Sequence, residues 1–232
     1  MAELKLDWAS AEAARYACER WHYSKRVPVF KSVRVGVWED QQFIGVVMFG
    51  QGATPELGSP YHLTTTQCCE LTRIALTTHQ NPVSRIVAIA IKFLRRRSPG
   101  LRLIVSFADQ AQGHHGGIYQ AGGWLYLGGA ETHAYIIHGE PVHPKTLHSR
   151  YGTGGQSIPW LRKHVDPNAK RVISGFKHRY LYPLDHDMRE QLLPLSKPYP
   201  KRPKQAMAES PSAQRRCITD PDAPSLIEVP HG

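Results

Sequence analysis

The sequence has no apolar run that approaches the roughly 20 residues a helix needs to cross a lipid bilayer. Its first ten residues, MAELKLDWAS, contain two acids and lack the hydrophobic segment of a signal peptide. Only four of the 232 residues are cysteines, and Cys68 and Cys69 are adjacent, a spacing that fits neither a zinc site nor a disulfide framework. We therefore expect an intracellular protein in a reducing compartment, without membrane contact.

Acidic residues are also scarce relative to basic ones. The 19 Asp and Glu residues face 29 Lys and Arg residues, which leaves a net charge of +10 and a pI near 9.6. Such an excess favours a polyanionic partner through counterion release, although a basic surface kept for solubility is the alternative. The basic residues concentrate at 15–34, 92–102 and 145–180 and not in one terminal run, which favours the first interpretation.

Hydrophobic residues make up 41% of the chain, and their periodicity predicts one α/β (α+β) domain. Alternation at 33–39 and 43–50 predicts an antiparallel hairpin. A strand at 68–76, a helix at 82–97 and a strand at 102–107 predict a right-handed β-α-β unit with parallel pairing, so the central sheet is mixed and flanked by helices. Further helices are predicted at 9–20 and 114–122, and further strands at 124–128, 133–138 and 178–182.

The C-terminal segment differs in composition from the rest. Eight of the 18 prolines follow Leu193, among polar residues. This predicts a folded domain at 1–189 and a disordered, Pro-rich tail at 190–232, which could be removed without loss of folding.

The stretch from Leu101 to Leu127 carries the most chemical information. A buried strand is predicted to end at the carboxylate of Asp109, followed by a loop with two glycines and two histidines and then by an aromatic segment. This arrangement presents a reactive side chain at a sheet edge. A plain capping role for Asp109 is the alternative.

The segment HQNPVSR predicts the start of a helix with a phosphate site. Asn81 suits the N-cap position and Pro82 the first helical position. Free backbone N–H groups, the Ser84 hydroxyl and the Arg85 guanidinium together favour an anion, although an ordinary capped helix has the same pattern.

Two regions interleave aromatic and basic side chains. In the segment WHYS, the aromatic rings of Trp21 and Tyr23 surround the imidazole of His22, beside lysines and arginines. This suits either nucleic-acid contact or an aromatic cluster that fixes the helix to the sheet. Residues 139–182, with HPKTLHSRYGTGG, WLRKH and FKHRYLYPL, combine phosphate-binding and stacking side chains.

Several of these segments, in this order, resemble the Mom family of phage DNA-modification proteins over residues 10–184: WHYS, CELTRIAL, NPVSR, VSFADQAQGHHGGIYQAGGW, LHSRYGTGG and KHRYLYPL. The resemblance implies a fold like that of GCN5-related N-acetyltransferases (GNAT). The Gly-rich pyrophosphate loop typical of those enzymes is replaced here by HQNPVSR. Acetyl-coenzyme A is nevertheless the cofactor that the resemblance implies, with Ser84 and Arg85 as its contacts.

The resemblance also implies an activity, which is conversion of adenine in DNA to N6-carbamoylmethyladenine, a modification that protects phage DNA from host restriction. The matching catalytic residues are His22, Tyr23, Asp109 and Tyr119. Because the product has nitrogen bonded to a CH₂ group and not to a carbonyl carbon, a redox metal such as iron (Fe²⁺) is expected. His22 and Asp109 are its suggested ligands, with His114 or His115 as additions.

The partner implied is double-stranded DNA with a flipped-out adenine in the host cytoplasm, because the adenine amine is buried in a paired duplex. Trp21, Tyr23, Tyr119 and Trp124 are candidates for stacking on the base. Candidates for gripping the DNA backbone are Arg150, Arg162, Lys163, Lys177 and Arg179. The sequence leaves the oligomeric state open, including a homodimer.

Two other function classes remain open from the sequence. One is a conventional acetyl-coenzyme A-dependent N-acetyltransferase, and the other is a non-catalytic DNA-binding protein on the same fold. An S-adenosylmethionine-dependent methyltransferase is disfavoured, because the sequence has neither a Gly-rich nucleotide loop nor a DPPY-like motif.

Overall fold

A computed structural model describes residues 2–52, 54, 56–152 and 157–201. In chain order, the strands are β1 Leu4–Trp8, β2 Ser32–Glu39, β3 Gln42–Gly50, β4 Cys68–Leu76, β5 Leu103–Asp109, β6 Leu125–Ile137, β7 Glu140–Val142 and β8 Lys170–Pro183. The helices are α1 Ala11–Trp21, α2 Val83–Arg97, α3 Gly117–Ala121, α4 Pro144–Tyr151, α5 Ile158–His164 and α6 His186–Leu192. No helix in the described part of the chain is long and apolar enough to span a membrane.

The strands form one eight-stranded sheet in the order β1-β2-β3-β4-β5-β8-β6-β7. The β4–β5 pair is parallel and is connected through α2, while the other neighbouring strands are antiparallel. The predicted mixed sheet flanked by helices is confirmed. Strand β1, which was not predicted from the sequence, is a short edge strand paired to β2.

Successive side chains of a strand point to opposite faces of the sheet, and here both faces are apolar. Helices therefore cover both faces. Helix α2 packs Ile86, Ala90 and Leu94 against the face that carries Val35 and Val47. On the other face, α1 packs its small residues against the large side chains of the hairpin, namely Ala13, Ala14, Ala17 and Cys18 against Trp38, Phe43 and Met48.

Strands β4 and β5 separate soon after they start. Their parallel register runs only from Cys68↔Leu103 to Glu70↔Val105. At this point β4 has a register shift against β3, where the Thr72 hydroxyl donates to the Met48 carbonyl (3.1 Å). An extra residue in a strand bends it, so the bulge accounts for the opening between the two strands. We call this opening the wedge.

Strands β6 and β8 extend past the end of β5. The pairing of β5 with β8 stops at Asp109↔Lys177, whereas β8 continues to pair with β6 out to Ile136↔Lys170. We call residues 129–176 the arm. Its own small core, between this ribbon and helices α4 and α5, contains Tyr135, Ile137, Leu147, Leu161 and Ala169.

Strand β6 is continuous where two separate strands were predicted. Register shifts between Tyr126 and Gly129, and between Thr132 and His133, bend the strand without ending it. Gly128 has φ +87° at the first of these irregularities, a backbone conformation that glycine adopts without strain. The glycines at this irregularity explain why the sequence pattern predicted a loop between two strands.

The predicted domain boundary at residue 190 falls inside α6. Met188 and Leu192 are buried in a third cluster with Val105 and Leu181. Beyond the helix, the Lys197 amide donates to the Tyr126 carbonyl (2.7 Å), and Tyr199 Oη donates to the Trp124 carbonyl (2.7 Å). Residues 190–201 thus belong to the domain, and the rest of the predicted tail, 202–232, lies outside the described residues.

Candidate active site

The wedge gathers side chains from four elements. The end of α1 brings His22 and Tyr23, β4 brings Glu70 and Arg73, β5 brings Asp109, and α3 brings Tyr119. The charges of Asp109 and Glu70 act on Tyr23, and those of Arg73 and His114 act on His22. Residues far apart in sequence therefore share one electrostatic environment.

His22 is the C-cap residue of α1 and is only 7% exposed. Its Nδ1 accepts from the Ser24 amide (3.1 Å) and lies 2.8 Å from Ser24 Oγ. Because Nδ1 accepts this amide hydrogen, the neutral ring carries its proton on Nε2. Burial first, then the positive charges of Arg73, His114 and Lys25, lower the pKa of His22 to about 4, so the ring is neutral at neutral pH.

Tyr23 is the accessible aromatic side chain of the wedge, at 53% exposure. Its ring lies 4.3 Å from that of His22 and 5.8 Å from that of His114, between centroids. Partial burial, followed by the negative charge of Asp109, raises the pKa of Tyr23, which keeps the phenol protonated.

Asp109 ends β5 and caps the short 3₁₀ turn at Gln110–Gln112. Its Oδ1 accepts from the Ala111 amide (3.0 Å), so the capping interpretation is confirmed. The second oxygen, Oδ2, lies 3.7 Å from Lys177 Nζ at the base of the arm. The carboxylate thus has one oxygen engaged in the turn and the other directed toward a cation.

Tyr119 lies beneath the wedge and is buried against Trp124 and Tyr180, with ring centroids 5.0 Å away in each case. Its Oη lies 2.8 Å from Ser106 Oγ, which is itself 3.1 Å from the Leu71 carbonyl. Burial raises the pKa of Tyr119 to about 12, against the lowering effect of Ser106. This neutral, packed phenol can support the wedge but cannot stack on a base.

Several residues that shape the site had no functional role assigned from the sequence. Ser24 orients His22, and Ser106 contacts Tyr119. The Arg73 guanidinium donates to the carbonyls of Thr72 (2.7 Å) and Arg26 (3.3 Å), which holds its charge close to His22. The polar residues of CCELTRIAL were a usable signal, because polar side chains in an otherwise apolar strand have a specific reason to be there.

The wedge does not by itself assemble a metal centre. Across the described residues, no three His, Cys, Asp or Glu side chains converge as ligands. His22 Nδ1 accepts a hydrogen bond, Asp109 faces Lys177, and the raised pKa of Tyr119 opposes a phenolate ligand. The contacts of His22 and Asp109 therefore do not fit iron ligands. The iron site stays a prediction.

The start of α2 differs from the predicted phosphate site. Pro82 is the N-cap residue and makes no side-chain cap, while Asn81 is buried one position earlier. The Glu39 carboxylate accepts from the amides of Gln80 (2.8 Å) and Asn81 (2.9 Å) and from Asn81 Nδ2 (2.7 Å). Arg85 donates to Asn81 Oδ1 (2.7 Å).

An internal carboxylate thus lies next to the predicted anion site, on the two amides that precede the N-cap residue. Burial alone would raise the pKa of Glu39, but the hydrogen bonds from Asn81 and Gln80 outweigh burial and lower it, so the group is charged. A pyrophosphate at these amides would be repelled by Glu39. The described hydrogen bonds of Glu39 go to Gln80 and Asn81 and not to Ser84 or Arg85, so these two predicted acetyl-coenzyme A contacts stay a prediction.

The predicted stacking residues are mostly unavailable. Trp124 is 1% exposed and packs on Tyr119 and Tyr182, so the structure contradicts its predicted contact with a base. Trp21 packs against Tyr16 (5.3 Å) and Phe43 (5.9 Å) beside α1, as the alternative interpretation of an aromatic cluster predicts.

The predicted backbone-gripping residues divide into two groups. Arg150, Arg162 and Lys163 are exposed on helices α4 and α5 of the arm, and Arg162 Nε also donates to the Ala169 carbonyl (2.9 Å). Lys177 lies at the base of the arm beside Asp109, and Arg179 lies on the sheet over the Phe107 ring (5.8 Å). Their DNA contacts stay a prediction.

Comparison with known proteins gives three findings. Residues 3–201 match the Mom protein family. The methylcarbamoylase Mom of Escherichia phage Mu is 30% identical over 207 residues, which cover 86% of this chain and 84% of that protein. Among solved structures, the AHL synthase LasI aligns with a TM-score of 0.36 and 10% identity, over 84% of this chain and 96% of LasI.

Proposed function

The chain belongs to the Mom protein family, and from this premise we propose that it is a DNA-modifying transferase that attaches a carbamoylmethyl group to N6 of adenine. The observation that carries the proposal is the match to the phage Mu methylcarbamoylase, which extends over 86% of the chain. The polar wedge supports it, because it places a carboxylate, a neutral imidazole and an exposed phenol around one opening.

The proposed chemistry is a substitution at the adenine amine. N6 forms a bond to the CH₂ carbon of a carbamoylmethyl donor, the leaving group of the donor departs with its electron pair, and one proton leaves N6. Asp109 is the residue that accepts this proton, since His22 Nδ1 is engaged by the Ser24 amide and its Nε2 carries a hydrogen. The Nε2–H group of His22 can donate a hydrogen bond to the donor or to the base.

The adenine has to leave the duplex before its amine can enter the wedge. Base flipping costs a few kcal/mol, which stacking and backbone contacts offset. Tyr23 is the side chain of the wedge that is exposed enough to stack on a flipped base. The arm, whose base adjoins Asp109 through Lys177, lies where it could hold the flanking duplex.

A duplex grip by the arm agrees with its charge. Residues 129–176 contain six Lys and Arg residues (Lys145, Arg150, Arg162, Lys163, Lys170 and Arg171) and three acids. One of these acids, Asp166, is turned inward to accept from the His138 and Asn168 amides. We further propose that the enzyme acts on phage DNA in the host cytoplasm and shields it from restriction.

The test is nucleoside mass spectrometry on plasmid DNA from cells that express the chain. We expect a carbamoylmethyl increment on deoxyadenosine, and its loss in Asp109→Asn, which keeps a capping oxygen but removes the base. Asp187→Asn, an exposed change on α6, is the matched control and should retain the product. Absence of any modified adenosine from well-folded wild-type protein would contradict the proposal and favour a non-catalytic DNA-binding protein.

A conventional acetyltransferase is the less supported alternative, because HQNPVSR replaces the Gly-rich pyrophosphate loop and the charged Glu39 lies beside the start of α2. It predicts release of coenzyme A from acetyl-coenzyme A with a small amine and no DNA. The same protein preparation can be assayed for this release.

A further inference from the structure

A second concavity lies away from the wedge, on the face of the sheet that α2 covers. Its volume is about 630 Å³, and it is formed by the start of β2, the end of β3, the start of β4 and the C-terminal end of α2. Ser84 and Arg97 are thirteen residues apart on α2, so this end of the helix lies about 20 Å from the predicted acetyl-coenzyme A contacts. We call this concavity the basic groove.

The charge lining the basic groove is of one sign. Lys31, Arg34 and Arg97 line it, and no Asp or Glu is among its described lining residues. Lys31 and Arg97 are exposed and make no ion pair within the described chain. Cations held together in a concave site raise the local potential and attract an anion.

Arg34 lines the groove but is not one of the proposed ligand contacts. It alternates along β2 with Val33 and Val35, which face α2, and it pairs with Met48, which packs against α1. Its side chain therefore lies on the α1 face, within electrostatic range of Glu12. Lys31 and Arg97 supply the unbalanced charge of the basic groove.

The uncharged residues of the basic groove indicate which non-ionic groups a ligand would carry. Hydroxyls and an amide, from Ser32, Gln51, Thr65, Thr66 and Ser98, stand beside the apolar side chains Trp8, Phe49, Leu94 and Leu101. A volume of this size is in the range of small-molecule sites, roughly 300–1,000 Å³. The lining therefore matches a molecule with an anionic group at one end and an apolar part at the other.

We propose that the basic groove is a binding site for a small organic phosphate, separate from the wedge and independent of the proposed DNA modification. Lys31 and Arg97 hold the phosphate oxygens, the hydroxyls of Thr65, Thr66 and Ser98 supply neutral hydrogen bonds, and the apolar lining takes the organic part. DNA is disfavoured as the occupant because a pocket with an apolar floor fits a discrete ligand better than a continuous backbone.

The test is calorimetric titration of the full-length protein with ADP as the organic phosphate probe and with inorganic pyrophosphate. Proton–nitrogen NMR shifts of the Thr65, Thr66 and Ser98 amides would locate the contact. We expect ADP to bind more tightly than pyrophosphate, and Lys31→Glu/Arg97→Glu to weaken ADP binding by about tenfold or more. Lys5→Glu/Arg96→Glu makes the same charge change outside the groove and should bind as wild type does.

Several outcomes would overturn the proposal. These are no binding of ADP at millimolar concentration, equal weakening in the control variant, shifts confined to the wedge, or shifts at the groove amides produced by duplex DNA and not by ADP. Tighter binding of pyrophosphate than of ADP would show that the apolar lining does not bind the organic part of the ligand, and it would contradict an organic phosphate site. If the charge-reversed protein does not fold, Lys31→Gln/Arg97→Gln gives the same comparison with a smaller expected loss.

Discussion

For single residues, the role that a side chain can take in the site depends on which of its atoms already make hydrogen bonds or are buried. His22 is a plausible base by residue type, yet the amide of its neighbour Ser24 donates to Nδ1 and fixes the tautomer. Tyr119 is a plausible stacking residue by type, yet its ring lies within the core. Residue identity therefore narrows the possible roles, and hydrogen bonding and burial select among them.

The buried, neutral state of His22 predicts acid sensitivity. Its pKa is near 4 in the fold and near 6.5 when unfolded, so below pH 6.5 the unfolded chain binds a proton that the folded chain does not. Stability from this residue is present above pH 6.5 and is lost as the pH falls through 4, by about 3 kcal/mol in all.

Urea unfolding of wild type and of His22→Gln at pH 7 and pH 4.5 measures this contribution. We expect the loss of stability between the two pH values to be smaller in the variant. His133→Gln, a partly exposed histidine on the arm, serves as the control. An equal loss in wild type and His22→Gln would show that His22 is not the group responsible.

At the scale of elements, one carboxylate holds the connection between β4 and α2. Glu39 at the end of β2 reaches a loop 41 and 42 residues later in the chain and satisfies two backbone amides there. This tie fixes the connection from which α2 starts, so its effect is structural.

Loss of this carboxylate should destabilise the fold. In Glu39→Ala the amides of Gln80 and Asn81 and the side chain of Asn81 lose their acceptor, at a cost of about 2–3 kcal/mol. Because the pKa of Glu39 is lowered, its contribution is present above the ordinary pKa of 4.5 and declines as the pH falls below that value. Hydrogen exchange of residues 77–86 should accelerate, whereas exposed Glu140→Ala should leave it unchanged.

The C-terminal elements give a prediction about truncation. A chain that stops at residue 189 loses the buried Leu192 and the hydrogen bonds of Lys197 and Tyr199. We expect it to be less stable by about 3 kcal/mol or more, from loss of a buried leucine and two hydrogen bonds. A chain that stops at Lys201 keeps all of these contacts and should unfold at nearly the wild-type temperature. Equal thermal unfolding of the two truncated proteins would place the domain boundary back at residue 190.

At the scale of the whole molecule, the surplus of positive charge is distributed over separate surfaces. The arm and the basic groove each carry part of it, and they lie on different parts of the fold. A net charge of +10 therefore does not describe one continuous binding face. Each surface has to be tested by variants of its own.

For the arm we expect Arg150→Glu/Lys163→Glu to weaken binding of a DNA duplex by about tenfold and to reduce the dependence of affinity on salt concentration. Both side chains are exposed, so the fold should be unaffected. Fluorescence anisotropy across a salt series measures the effect, with Lys5→Glu/Arg96→Glu as the charge-matched control. A salt slope equal to that of wild type would remove the arm from the DNA interface, while the modification assay with Asp109→Asn would stand.

The sequence alone determined the central strands and helix α2, because alternation and helical periodicity are local signals that burial on one face imposes. The resemblance also identified the family, and it named four of the side chains that lie at the wedge, His22, Tyr23, Asp109 and Tyr119. Only the tertiary structure decided which of them are exposed. The burial of Trp124, the tie from Glu39 to Asn81 and the anchoring of Tyr199 join segments tens of residues apart, and such contacts leave no periodic trace in the chain. The arm is another feature that the tertiary structure determines, since its ribbon forms where β8 extends beyond the end of β5 and pairs with β6 alone.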